Sequence, residues 1–212
     1  MKKSSDMYEV LFEDPNVLIV NKAIGVAVQS KDKSQDLTQI LSEEKTVTLF
    51  PITRLDQPVS GIVLYAKTKE SAADLSGQIQ RKKIDKSYHA IVEGEMPESG
   101  VLEHKLTKAK NNKSFENEEG QLARLSFQLI RKLDRYSIIS IKTTSGRFHQ
   151  IRAQLSLSGN PIKGDLKYGA KRSNEGGGIY LHCKDLSCLH PISGRRLEVS
   201  APYPEMKLWS LV

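Results

Sequence analysis

Cysteine is scarce in this 212-residue chain, with Cys183 and Cys188 the only two. A pair of thiols cannot build the cross-linked framework of a small secreted domain. Long apolar runs are also missing. No stretch approaches the roughly 20 residues of a membrane helix, and Met1-Lys2-Lys3-Ser4-Ser5-Asp6 has no hydrophobic segment behind it to make a signal peptide. There is no Cys-x-x-Cys pair, so His182, Cys183, Cys188 and His190 lack ordinary zinc-site spacing. The run Gly176-Gly177-Gly178 lacks the Lys-Ser/Thr of a phosphate loop and reads as a flexible turn. No internal repeat or linker marks a domain boundary. These absences lead us to expect a cytoplasmic protein with reduced thiols and no membrane partner.

Positive charge is abundant. Lys and Arg number 32 against 25 Asp and Glu, giving a net charge of +7 and a pI near 9.3. Such an excess favours a polyanionic partner: RNA, DNA or an anionic surface. With 38% apolar and 27% charged residues the composition is that of a globular protein, and the length allows one large domain or two small ones.

Residues 9–21 read as strand, turn, strand around Asp14-Pro15-Asn16. A further short strand is expected at 26–28, a short helix at 37–41 and a strand at 62–66. Thr68 is placed to cap a helix over 69–83, with Ala72, Leu75 and Ile79 as its buried stripe and Arg81, Lys82 and Lys83 at its C-terminal end. Residues 86–93 alternate as a strand with Tyr88, Ala90 and Val92 on one face. The polar segment 105–120, which includes Asn111, reads as a surface hairpin or loop. Strands at 122–130 and 136–142 form a pair. A helix over 145–157 ends at Gly159, with Ile151, Leu155 and Phe148 toward the core. The last strands fall at 179–183 and 196–199. The predicted fold is a single α+β domain over 1–212, a mostly antiparallel mixed sheet with flanking helices.

The most informative segment is Thr53-Arg54-Leu55-Asp56-Gln57-Pro58-Val59-Ser60-Gly61, just ahead of the strand Ile62-Val63-Leu64-Tyr65-Ala66. It presents an Arg and an Asp on a turn at the mouth of a strand, and Asp56 is a candidate reactive group. Arg152, one turn beyond His149 on the expected helix, is a second candidate. An Arg reaching an Asp keeps the carboxylate ionised and oriented. From these two residues alone, the favoured reading is an ion pair that only ties a helix to a strand.

Arg54-Leu55-Asp56-x-x-x-Ser60-Gly61 resembles the signature of the RluA-type RNA pseudouridine synthases. Other blocks follow in that family's order: Val17-Leu18-Ile19-Val20-Asn21-Lys22-x-x-Gly25; Lys86-Ser87-Tyr88-x-Ala90-x-Val92-x-Gly94; Gly146-Arg147-x-His149-Gln150-Ile151-Arg152; Gly159-x-Pro161-Ile162-x-Gly164-Asp165; Tyr168-Gly169; Leu181-His182; and His190-Pro191. The resemblance covers nearly the whole chain. It implies a catalytic domain of pseudouridine-synthase type, isomerising uridine in ribosomal or transfer RNA. It assigns Asp56 as nucleophile, Tyr88 as a ring on the uracil with a hydroxyl for proton transfer, and Arg152 as the partner of the nucleophile. Arg54 and Arg147 would hold RNA, and Ile151 with Tyr88 would line the base pocket. No metal and no organic cofactor is implied. The chain resembles the short, single-domain members that lack an N-terminal S4-like domain, and a monomer is expected.

Four positions depart from the family's common pattern: Thr53 where His is frequent, Val59 where Thr is frequent, Phe148 for Thr and Ala23 for Pro. Two rival functions remain. One is a non-catalytic RNA-binding protein on the same fold. The other is a glycoside hydrolase, which needs a second carboxylate beside Asp56; Asp165 and Glu93 are available by type, but nothing in the sequence pairs either with it.

Overall fold

The computed structural model describes residues 6–30, 36–110 and 112–212. Met1 to Ser5, weighed above for a leader, and Asn111 of the polar segment lie outside the described residues. Among the described residues there are eleven strands and three α-helices, an α+β fold as expected. They gather into two compact units: Met1–Lys86 with Cys183–Glu205, and Ser87–His182 with Met206–Val212.

The first unit holds β1 (Tyr8–Glu13), β2 (Val17–Lys22), α1 (Leu37–Lys45), β3 (Phe50–Pro51), β4 (Ser60–Ala66) and α2 (Lys69–Gln80). The pairs β1–β2, β2–β4 and β3–β4 are antiparallel. Its core joins Leu18, Val20, Val63 and Tyr65 of the sheet to Leu37 and Leu41 of α1. Residues 26–28 do not form the expected strand. The carbonyls of Ala27 and Val28 instead accept from the N–H groups of Leu37 and Thr38, at 2.9 and 3.2 Å, at the start of α1. Asp36 caps the same helix end through Gln39 N.

Asp14 closes the β1–β2 turn by accepting from the Asn16 and Val17 N–H groups, both at 2.7 Å. Its other oxygen lies 2.7 Å from His190 Nε2. His190 Nδ1 accepts from Ile192 and Ser193 N–H, so the ring proton sits on Nε2 and is donated to Asp14. Burial pushes the Asp14 carboxyl up, but the two backbone donors and His190 together hold it below its ordinary value. Glu13, bonded by Lys45 and Lys67, is lowered too. A carboxylate lowered in the folded state stabilises above its unfolded pKa of about 4, and that stability is lost as pH falls through the folded value. The stability gap between wild type and Asp14→Ala, read from urea midpoints, should therefore narrow between pH 6 and pH 3. A gap independent of pH would contradict the assignment.

The Thr68 cap on α2 is as expected, its side chain accepting from Ser71 N. The helix stops at Gln80 because Lys82 turns left-handed at φ 54°. The buried stripe is Ser71, Leu75 and Gln78, not the expected Ala72, Leu75 and Ile79, and Ile79 is exposed. Gln78 is tolerated inside because its amide is satisfied by Asp74 and by both backbone groups of Leu189. Leu189 ends β10 (Leu181–Leu189), which pairs with β11 (Arg196–Ser200).

Gly61 has φ +113°, and a Cβ there would lie 2.3 Å from the Cys183 carbonyl oxygen. Backbone cannot yield as a side-chain tip would. Gly61→Ala is expected to cost about 3 kcal/mol in urea unfolding, from strained φ and overpacking together.

In the second unit β5 (Asp85–Glu93), β9 (Tyr136–Thr143), β8 (Gln121–Lys132), β6 (Ser99–Lys108) and β7 (Ser114–Glu116) lie in that spatial order. All four pairs are antiparallel. The 105–120 segment is a hairpin, with β6 paired to β7. Most of β6 carries no strand signal in the sequence, yet its residues pair with β8 from Ser99 to Leu106. α3 runs over Gln150–Leu157 rather than from 145, because His149 is left-handed at φ 50° and cannot continue a helix backward. Its C-terminal signal is as expected: Gly159 is left-handed and Asn160 N–H returns to the Leu155 carbonyl.

Candidate active site

Asp56 stands on the loop between β3 and β4. Two inward residues fix that loop. Thr53 is buried, and its Oγ1 accepts from Leu64 N at 2.9 Å, supplying a rung that a strand would otherwise provide. Leu55 packs against the core of the first unit. Arg54, between them, is exposed and Asp56 is half-buried. The next residue is clamped as well. The Gln57 carbonyl accepts from Gly25 N at 2.9 Å and from Lys22 Nζ at 3.4 Å, while Gln57 Nε2 donates to the Gly25 carbonyl. Val59 N–H returns to the Asp56 carbonyl at 3.0 Å. The backbone of Asp56 is thus held at a strand mouth by contacts from Val59 and from the clamp on Gln57.

Lys22 is fully buried and donates to the carbonyls of Ala23, Val26 and Gln57. These carbonyls stand in for the water that solvates an exposed ammonium.

Tyr88, Arg147, Ile151 and Arg152 belong to the second unit. Tyr88 is buried on β5 opposite Ile141. Arg152 and Ile151 are buried in the first turn of α3. Arg147 is exposed in the loop before it. That loop is shaped by Gln150, whose Oε1 accepts from Ser145 Oγ and Arg147 N and whose Nε2 donates to the Arg124 carbonyl. Phe148, expected inward, is 37% exposed.

Arg152 makes a two-pronged bond with Asp165: Nε to Oδ2 at 2.7 Å and Nη2 to Oδ1 at 2.9 Å, both side chains buried. Its guanidinium lies 4.9 Å from the centre of the Tyr168 ring. Burial raises the Tyr168 hydroxyl, against the opposing pull of Ser114 N–H and the Arg152 charge. Asp165 and Tyr168 thereby fix the plane and heading of Arg152. Neither role was read from sequence. The signal available was chemical: a buried guanidinium requires a carboxylate, and Asp165 stands in the loop immediately after α3.

Cys183 and Cys188 are buried and form no disulfide. Burial first, then the charge of Asp74, pushes the Cys188 thiol up to about 11, the opposite of a reactive or metal-binding cysteine. Among the described residues no group of three or more His, Cys, Asp and Glu is arranged to hold a metal, and no helix is long and apolar enough to cross a membrane.

Comparison with known proteins shows the family. The family model described as RNA pseudouridylate synthase matches residues 16–157. The chain is 30% identical to tRNA pseudouridine synthase C of Haemophilus ducreyi, over 91% of this chain and 90% of that protein. It is 28% identical to the enzyme of that name from Vibrio parahaemolyticus, over 91% and 89%. It is 30% identical to an uncharacterized RNA pseudouridine synthase of Bacillus subtilis, over 92% of this chain and 68% of that one. Among solved structures, human RNA pseudouridylate synthase domain containing 1 superposes with a TM-score of 0.82 at 21% identity, covering 97% and 87% of the two chains. A match over residues 16–157, spanning the Asp56 loop, β5 and α3, means that this chain belongs to the RNA pseudouridylate synthase family.

Proposed function

We propose that this RNA isomerase converts a uridine of transfer RNA to pseudouridine, with Asp56 as the carboxylate that attacks the target nucleotide. The observation that carries the assignment is the Asp56 loop itself, whose carboxylate is presented at a strand mouth by Thr53, Gln57 and Lys22. The choice of transfer RNA is supported by relatives named tRNA pseudouridine synthase C that align over about nine-tenths of both chains. Tyr88 stacks on the uracil and serves proton transfer, Arg152 orients Asp56, and Ile151 lines the base pocket. Arg54 and Arg147 hold the RNA, and a planar guanidinium suits both phosphate and a vacated base position. The enzyme works in the cytoplasm as a monomer.

In the reaction the N1–C1′ bond breaks, a C5–C1′ bond forms, the C5 hydrogen leaves to water and N1 gains a proton. No electrons leave the substrate. RNA carrying tritium at uridine C5, taken from a strain lacking this protein, should therefore release tritium with the wild-type chain, and a new pseudouridine should map to transfer RNA. Binding without release from any RNA fraction would overturn the catalytic assignment. Release only from ribosomal RNA would overturn the choice of substrate.

A further inference from the structure

An aromatic stack stands at the surface of the second unit. Phe148 lies on the His149 ring with centroids 3.9 Å apart and planes 17° from parallel. The backing is rigid. His149 is fixed in a left-handed conformation, rare outside glycine, and its carbonyl opens α3 by accepting from Ala153 N at 2.9 Å. His149 Nδ1 is 2.9 Å from the Tyr168 hydroxyl, which itself accepts from Ser114 N. The Phe148 carbonyl accepts from Ser114 Oγ. A buried tyrosine and a buried serine thus hold Phe148 with 37% of its surface left open.

The neighbouring β6–β7 segment is basic. Residues 107–115 contain Lys108, Lys110 and Lys113 and no carboxylate. Lys108 Nζ sits over the Phe148 ring, 4.3 Å from its centre, and Lys113 Nζ lies 5.2 Å from the centre of Tyr168. Arg147, exposed, immediately precedes the stack.

We propose that the Phe148–His149 stack is a platform for an unpaired RNA base flanking the target uridine, with Lys108 and Lys113 taking the adjacent phosphates. The assignment rests on the RNA-modifying function above. The incoming base occupies the ring face that Lys108 covers, and the flexible lysine stem swings its ammonium to a phosphate. Aromatic stacking accepts any base, because every base has a π-face. The platform therefore adds affinity for single-stranded segments without adding a sequence preference.

The test uses fluorescent oligoadenylate of about twelve nucleotides, which cannot be isomerised, and a blunt RNA duplex of the same length. Phe148→Leu keeps the apolar volume and removes the π-face. It should weaken oligoadenylate binding about tenfold and leave duplex binding unchanged, while Phe148→Trp retains both. Lys108→Gln and Lys113→Gln should each flatten the log–log salt slope by about 0.7. Wild-type affinity in Phe148→Leu, or equal weakening on oligoadenylate and duplex, would overturn the platform. So would displacement by polyglutamate as effective as by oligoadenylate, which would mark a general anion surface. The tritium assay is separate: absent release by the wild-type chain would sink the enzymatic function, whereas normal release with unchanged Phe148→Leu binding would sink only the platform.

Discussion

Asp56→Asn is expected to lower tritium release from C5-labelled RNA by about 10³-fold or more, the scale of losing an essential nucleophile. The substitution is nearly isosteric. The loop's geometry rests on the Asp56 carbonyl, on Thr53 Oγ1 and on the clamp around Gln57, none of which the side-chain change removes. Affinity for RNA should hold within about threefold, since an anion does not attract a polyanion. Asp56→Glu should be almost as inactive, because a fixed loop cannot retreat to accommodate a longer arm. Turnover by Asp56→Asn at a wild-type rate would remove Asp56 from the chemistry.

Asp165→Ala is expected to destabilise the protein by about 4 kcal/mol and to abolish activity. The loss exceeds that of an ordinary ion pair because Arg152 keeps its charge inside the protein after its two-pronged partner is gone. The double variant Arg152→Met, Asp165→Leu separates fold from function. Removing both charges restores much of the stability, since a buried pair often does no better than apolar residues of similar size. Activity should stay lost if Arg152 orients Asp56. A stable double variant with wild-type turnover would leave the pair a purely structural tie.

Local signals were legible. Thr68 caps α2, Asp14 makes the β1–β2 turn and Gly159 ends α3, each through groups within a few residues. The family was legible too, because its motifs combine fixed spacing with rare residue types. The errors have distant causes. The left-handed turn at His149 is held by Tyr168 and Ser114, so the start of α3 is decided by residues outside its own segment. Gln78 is buried because Leu189 meets its amide, which inverts the apolar stripe expected for α2. β6 escaped notice because its core-facing positions include Gly100 and His104, which blur the alternation of a strand. The partnership of Arg152 with Asp165 is a packing fact that no periodicity announces.

Lys22 gives the Asp56 loop a mechanical character. One ammonium joins two places in the chain, the Ala23 and Val26 carbonyls of its own segment and the Gln57 carbonyl of the loop. Sliding the loop would break the Gln57 bond to Lys22 and the paired Gln57–Gly25 bonds at once. The loop therefore behaves as an anvil, not a lid. With Asp56 as the proposed attacking carboxylate, conformational adjustment during encounter would fall on the nucleic acid, whose base would swing out of its stack to meet it. Loosely folded RNA pays less to unstack than rigid RNA, so the stiffness of this loop turns the local melting of the substrate into a criterion of choice.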